Sequence, residues 1–181
     1  IRPQEPPQIA ERRVIFSDPR VATPYVTRSY LAPERDAGAQ QDAAALTILA
    51  ELLGGSSQTS VLGRKLQFED QVALFTSAFY SGLSLDDAAF GVVVAPAAGR
   101  TLDQAEADMD RAIDEFMAEG IDMDQFDRIK MQIRAAEIYE RDSVQSVARK
   151  YGAALTSGLT VDDVAAWPGV LDAVEPADIT A

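Results

Sequence analysis

The stretch LTILAELLGGSSQTSVLGRKLQFEDQVALFTSAFYSG, Leu46 to Gly82, decides the fold. It opens with Leu46, Leu49, Leu52 and Leu53 on one face at helical spacing. Gly54-Gly55 is expected to end that helix, because a C-terminus favours residues free to take positive φ. The polar run Ser56-Ser57-Gln58-Thr59 follows, and Thr59 can cap a second short helix through Val61, Leu62 and Leu66. From Val72 the period changes to two. Val72, Leu74, Thr76, Ala78 and Tyr80 fall on one side, and Ala73, Phe75, Ser77 and Phe79 on the other. Apolar groups on both sides predict a strand inside a sheet.

Upstream of this unit, residues 1–10 (IRPQEPPQIA) hold three prolines and no periodicity, so they read as a linker or extended arm. Glu11 to Ser17 alternates as a short strand, Asp18-Pro19-Arg20 is a turn, and Pro24 to Leu31 is the next strand. Downstream, Ala88 to Pro96 reads as a buried strand, joined to the 72–81 strand in an antiparallel hairpin. Gly91 within it marks a bulge or a close approach. The second half is helical. Thr101 and Gln104 have capping-box form ahead of a stripe from Leu102 to Phe116 that ends at Gly120. Asp122 caps a stripe of Phe126, Ile129, Ile133 and Ala136. A third runs from Val144 to Leu155, and Thr160 caps a short helix broken at Pro168. Glu175-Pro176 starts a last helix.

The order strand, strand, two helices, two strands, three helices gives an α+β fold in residues 11–181. It predicts one antiparallel or mixed sheet with helices on one face. The 181 residues suffice for one such core. The opening Ile1-Arg2-Pro3, without an initiator Met, reads as part of a longer chain.

Composition excludes more than it proposes. Sixteen Lys and Arg against 29 Asp and Glu give a net charge of −13, which disfavours nucleic acid and anionic lipid as partners. No apolar run reaches the ~18 residues of a membrane span. There is no Cys and no His. Thiol catalysis, disulfides, a Ser-His-Asp triad and His-based zinc or iron sites are therefore impossible within this chain. Glu137 and Glu140 lie three apart on a helix, yet Arg134 and Arg141 beside them make an exposed ion-pair network the simpler reading. Asp86-Asp87 and Asp162-Asp163 suit a hairpin turn and a first helical turn. Gly54-Gly55-Ser56-Ser57 lacks the flanking residues of a phosphate loop and follows a helix instead of a strand.

The run from Leu46 to Leu66, the strand ending Ser77-Ala78-Phe79-Tyr80, and the segment DDAAFGVVVAPA resemble the C-terminal homologous domain of the pitrilysin/insulinase zinc peptidases. That group includes the mitochondrial processing peptidases. The likeness continues through the joint Glu119-Gly120-Ile121-Asp122 to Lys130, through RDSVQSVARKYGAALTSGLT, and into VLDAVEPADIT. Order and spacing carry it; no single motif does.

The resemblance implies a half-peptidase architecture related to a ferredoxin-like sheet, with no catalytic residue in this half. It implies zinc and its ligands in an N-terminal domain of the parent, with which this domain closes over peptide substrate, and in some members a second homologous subunit. Some relatives place an Arg and, seven residues later, a Tyr where this chain has Gln67 and Leu74; Arg64 lies three residues out of register. That departure fits a zinc-bearing subunit whose partner supplies the gripping pair. The Gly54–Thr59 loop matches a glycine-rich substrate loop of processing peptidases in shortened form. The implied substrate-facing set is therefore Gly54, Gly55, Ser56, Gln67 and Leu74. Two alternatives remain open: a structural scaffold like the respiratory-complex core subunits of this fold, and an unrelated acidic binding module. Relatives suggest the periplasm; the cytoplasm suits a cysteine-free chain equally.

Overall fold

A computed structural model of the chain describes residues 8–180. The linker expected over residues 1–10 therefore lies, up to residue 7, outside the described residues. Three strands, β1 (Val26–Ala32), β2 (Ala73–Tyr80) and β3 (Ala88–Pro96), form one antiparallel sheet in the order β1-β3-β2. The hairpin of β2 and β3 is formed as expected, with Thr76 opposite Val94 and Phe79 opposite Gly91. Two expectations fail. Residues 11–17 carry no strand and lie exposed, because they make no ladder with β1. The central strand is β3, not β2: Phe75 and Phe79, whose apolarity suggested an interior position for β2, stay about half exposed on an edge strand.

Helix α1 (Gln41–Ala50) does not stop at the glycine pair. It widens into a π-turn over Glu51–Gly55, and a second π-turn covers Gly63–Glu69. The residues of α1 face two ways, whereas the spacing suggested one stripe. Leu46, Leu49 and Leu53 pack towards the sheet, while Ile48 and Leu52 join a second cluster with Phe126, Ile129, Leu171 and Val174. A helix apolar on two sides is one placed between layers.

Helix α2 (Leu102–Glu119) starts from the expected box: Thr101 Oγ1 accepts from Gln104 N–H and Gln104 Oε1 from Thr101 N–H. It ends at Gly120, which takes φ 80. Asp122 accepts from Asp124 and Gln125 N–H to start α3 (Met123–Glu140). Helix α4 (Val144–Thr156) follows, and α5 (Val161–Ala173) runs through Pro168 where a break was expected. A proline removes one internal bond and bends a helix, and the packing of Val164 and Leu171 on either side holds this one together. A last short helix, α6, spans Pro176–Thr180.

One face of the sheet is covered by α1, α2 and the π-turns, with Leu62, Leu66, Met109, Val92 and Val94 at its centre. Helices α3, α5 and α6 pack behind α1, and α4 rests on α5 through Ala154, Leu159 and Val164. Among the described residues, the other face of the sheet carries no helix. No helix among the described residues is long and apolar enough to cross a membrane.

Candidate functional site

The residues singled out from the sequence collect along β2 but do not share one surface. Gly54 is buried: a Cβ there would lie 2.0 Å from the Ala78 backbone nitrogen and 2.4 Å from the Ser77 carbonyl carbon. Its role is the close passage of the first π-turn beneath β2. Gly55 and Ser56 are exposed just beyond it. Gln67, in the second π-turn, is half-buried and donates from Nε2 to Thr76 Oγ1 at 2.7 Å. Leu74 is 66% exposed at the point where the β2–β3 register slips between Ala73 and Phe75. A bulge re-aims its side chain out of the ladder. Gly54 and Gln67 thus serve the interior, whereas Gly55, Ser56 and Leu74 reach solvent.

Two residues with a part in this geometry escaped the sequence reading. Gln125, 4% exposed on α3, donates from Nε2 to Thr59 O at 2.7 Å and to Leu52 O at 3.3 Å. It therefore clips the loop between the π-turns to the helix layer. Gln71 joins the second π-turn to β2 with φ 56, a left-handed conformation usually taken by glycine. Nothing in the local pattern distinguishes either glutamine from a surface residue.

The face of the sheet away from the helices is uncharged among the described residues. Pairing places Thr27, Ser29 and Leu31 of β1, Ala89, Gly91, Val93 and Ala95 of β3, and Phe75, Ser77 and Phe79 of β2 on it. None carries a charge in a chain with 25% charged residues. The Phe79 ring lies across Gly91, where a Cβ would come within 2.2 Å of it; this is the close approach that Gly91 announced. Small residues in the middle strand and aromatic rings at the β2 edge make a shallow apolar floor.

The helix side is ionic instead. Arg28 of β1 pairs with Asp110 and Glu106 of α2, and the hydrogen bond it donates to the Asp110 carboxylate holds its guanidinium above the usual range. Hydrogen bonds from Arg13 and then Arg28 hold the Glu106 carboxyl below its ordinary value. Burial disfavours the Lys65 charge, but hydrogen bonds to Glu115 and Glu119 outweigh it and raise its pKa. A cavity of about 240 Å³ beside it is lined by Arg64, Lys65, Glu119, Asp122 and Gln125. Arg64 lies 3.9 Å from the Asp122 carboxylate there and 3.7 Å from that of Glu69 outside the cavity. Arg35 stacks 3.8 Å from the Trp167 ring centroid, and burial pushes its pKa down to about 10.

These groups do not make a zinc site. The chain supplies neither His nor Cys, and among the described residues no three metal-ligating side chains converge. Glu137 and Glu140 both receive Lys150 Nζ and so form an ion pair rather than a metal cradle.

A family model described as the peptidase M16 inactive domain matches residues 1–133. The chain belongs to this family. Among solved structures, the M16 domain superposes on a protease from Helicobacter pylori with a TM-score of 0.79 at 18% identity, covering 90% of this chain and 38% of that one. A protein described as a zinc protease from Bordetella pertussis Tohama I gives 0.74 at 17% identity, with 89% and 86% covered. The inactive peptidase domain of a protein described as a zinc protease from Bordetella parapertussis gives 0.75 at 15% identity, with 88% and 83% covered. At such identities these likenesses establish the fold, which is the half-peptidase architecture expected. No curated protein matches the chain. The M16 domain spans well under half of the Helicobacter protease.

Proposed function

We propose that this M16 inactive domain is the non-catalytic half of a zinc endopeptidase, closing a peptide chamber against an N-terminal domain that holds the metal. The observation that carries this reading is the family match in a chain without a single His. The chemistry must then come from another domain, and this one contributes surface. The uncharged sheet face and the free edge of β2 suit an extended peptide, whose backbone can add to a strand edge while its apolar side chains lie on Phe75, Phe79 and Val93. Gly55, Ser56 and Leu74 are the solvent-exposed members of the expected substrate-facing set. A second homologous subunit would supply the gripping Arg and Tyr that Gln67 and Leu74 do not.

That last departure also supports a second reading, a scaffold or non-peptidase partner subunit. The two separate in one experiment. The chain is expressed alone and together with the N-terminal domain of its parent, and zinc content, association and peptide cleavage are measured. The chain alone should hold no stoichiometric zinc and cleave nothing; zinc-dependent cleavage by the pure chain sinks the assignment. The pair should associate at micromolar concentration and cleave peptide, and Phe79→Asp should raise KM with little change in kcat. Association without cleavage favours the scaffold, and no association at high micromolar concentration rejects both.

A further inference from the structure

The cavity between the second π-turn and the joint of α2 and α3 holds polar atoms that the fold leaves unused. Most of the polar groups around it are engaged internally. Lys65 Nζ donates to both Glu119 oxygens at 3.2 Å and to Glu115 at 2.7 Å. Asp122 uses Oδ1 to start α3, accepting there from the Asp124 and Gln125 N–H groups. Gln125 donates from Nε2 to Thr59 O and Leu52 O, which fixes the orientation of its amide. Three groups are left over. The Arg64 guanidinium makes no hydrogen bond among the described residues: the carboxylates of Glu69 and Asp122 lie at 3.7 and 3.9 Å, and its Nε is shielded from solvent without an acceptor. Asp122 Oδ2 and Gln125 Oε1 accept no hydrogen bond among the described residues.

A forked cationic donor on one cavity with two acceptors, one of them anionic, complements a molecule that carries a carboxylate and an ammonium side by side. The remaining wall is apolar: Val61 and Phe116 are buried and Ile121 is half-buried. At about 240 Å³ the space is smaller than the roughly 300–1,000 Å³ of pockets for drug-sized ligands, so it suits a molecule the size of one residue. We propose that this cavity binds a free α-amino acid with an apolar side chain. The ligand carboxylate accepts from the Arg64 guanidinium, its ammonium donates to Asp122 Oδ2 and Gln125 Oε1, and its side chain lies on Val61, Phe116 and Ile121. Water satisfies such polar atoms but gains nothing from the apolar wall, which is what the side chain adds. The Lys65–Glu119 pair, neutral as a unit, closes the cavity without adding net charge. This site lies on the helix side, apart from the uncharged sheet face, and does not depend on a peptidase role.

The probe is L-leucine, titrated into the full chain by calorimetry. It should bind once per chain with a Kd of about 1 mM or tighter. N-acetyl-L-leucine lacks the ammonium and L-leucinamide lacks the carboxylate, and each should bind at least about tenfold more weakly, as the loss of a charged hydrogen bond requires. Arg64→Gln should weaken leucine binding by a similar factor with little change in Tm, because its long ion pairs add little to stability. No saturable binding of leucine up to about 20 mM overturns the proposal, as does equal affinity for the three compounds. A second measurement needs no variant. In the unaltered chain the amide resonances of Arg64, Ile121 and Gln125 should shift with leucine along one saturation curve, while that of Val93 on the opposite face stays in place. Shifts confined to the sheet face, or none at these three residues, overturn the site whatever the fate of Arg64→Gln.

Discussion

Gly54 shows how a correct residue can be assigned the wrong reason. A glycine pair after an apolar stripe is the local signature of a helix end, yet the constraint on Gly54 is the backbone of Ser77 and Ala78, more than twenty residues away. Gly54→Ala should therefore cost about 1–3 kcal/mol, the range for overpacking, whereas Gly55→Ala meets only the movable Glu51 side chain and should cost less. Denaturant midpoints of the two variants decide it. Gln71 offers the reverse case. Its left-handed φ of 56 is relieved by Gln71→Gly, which should stabilise the domain by about 0.5–1 kcal/mol despite the greater freedom of glycine when unfolded. Gln125→Leu should cost about 1–3 kcal/mol, since it leaves the buried Leu52 carbonyl without its side-chain donor. Amide exchange in residues 56–60 should rise with it. None of these three effects was readable locally, because each depends on a partner brought in by the tertiary fold.

At the level of elements, three of the four expected strands, the caps and the helix order were legible, while the expected strand over residues 11–17 did not form and the layering was not legible. The boxes at Thr101 and Thr160 are written in three or four adjacent residues, so the sequence displays them in full. Whether β2 lies at the centre or the edge depends on which strand β1 selects, and period-two alternation is silent about that. Likewise Pro168 predicts a break from the one bond it removes, while the packing that spans it comes from α1 and α3. The contact between β1 and α2 has a pH signature. The folded-state pKa of Glu106 lies below its ordinary 4.5, so its contribution is fully present above that value and is lost as pH falls through the lower folded value. Glu106→Gln should flatten the loss of thermal stability between about pH 5 and about pH 3. An acid limb identical to that of the unaltered chain would show that the Arg13 and Arg28 pairs add nothing.

Across the whole molecule, family membership was legible because it resides in the order and spacing of several elements, while the placement of the candidate residues was not, because Gly54 and Gln67 turn inward on partners that only the tertiary fold supplies. Stability should also be uneven. Helix α4 contributes only Ala154 to the buried set and is held by its packing on α5 and the Lys150 ion pairs to α3, whereas α1 is packed from two sides. Amides of α4 should exchange through small local openings, insensitive to denaturant, and those of α1 only on global unfolding. Equal protection in both helices would contradict this packing. The uncharged sheet face has a further consequence. The net charge of −13 is borne largely by the helices, and the strand residues on that face carry none of it. A basic resin or a cationic protein will hold it by its helices and turn its strands outward, so that every adsorbed copy presents the same apolar floor to whatever passes in solution.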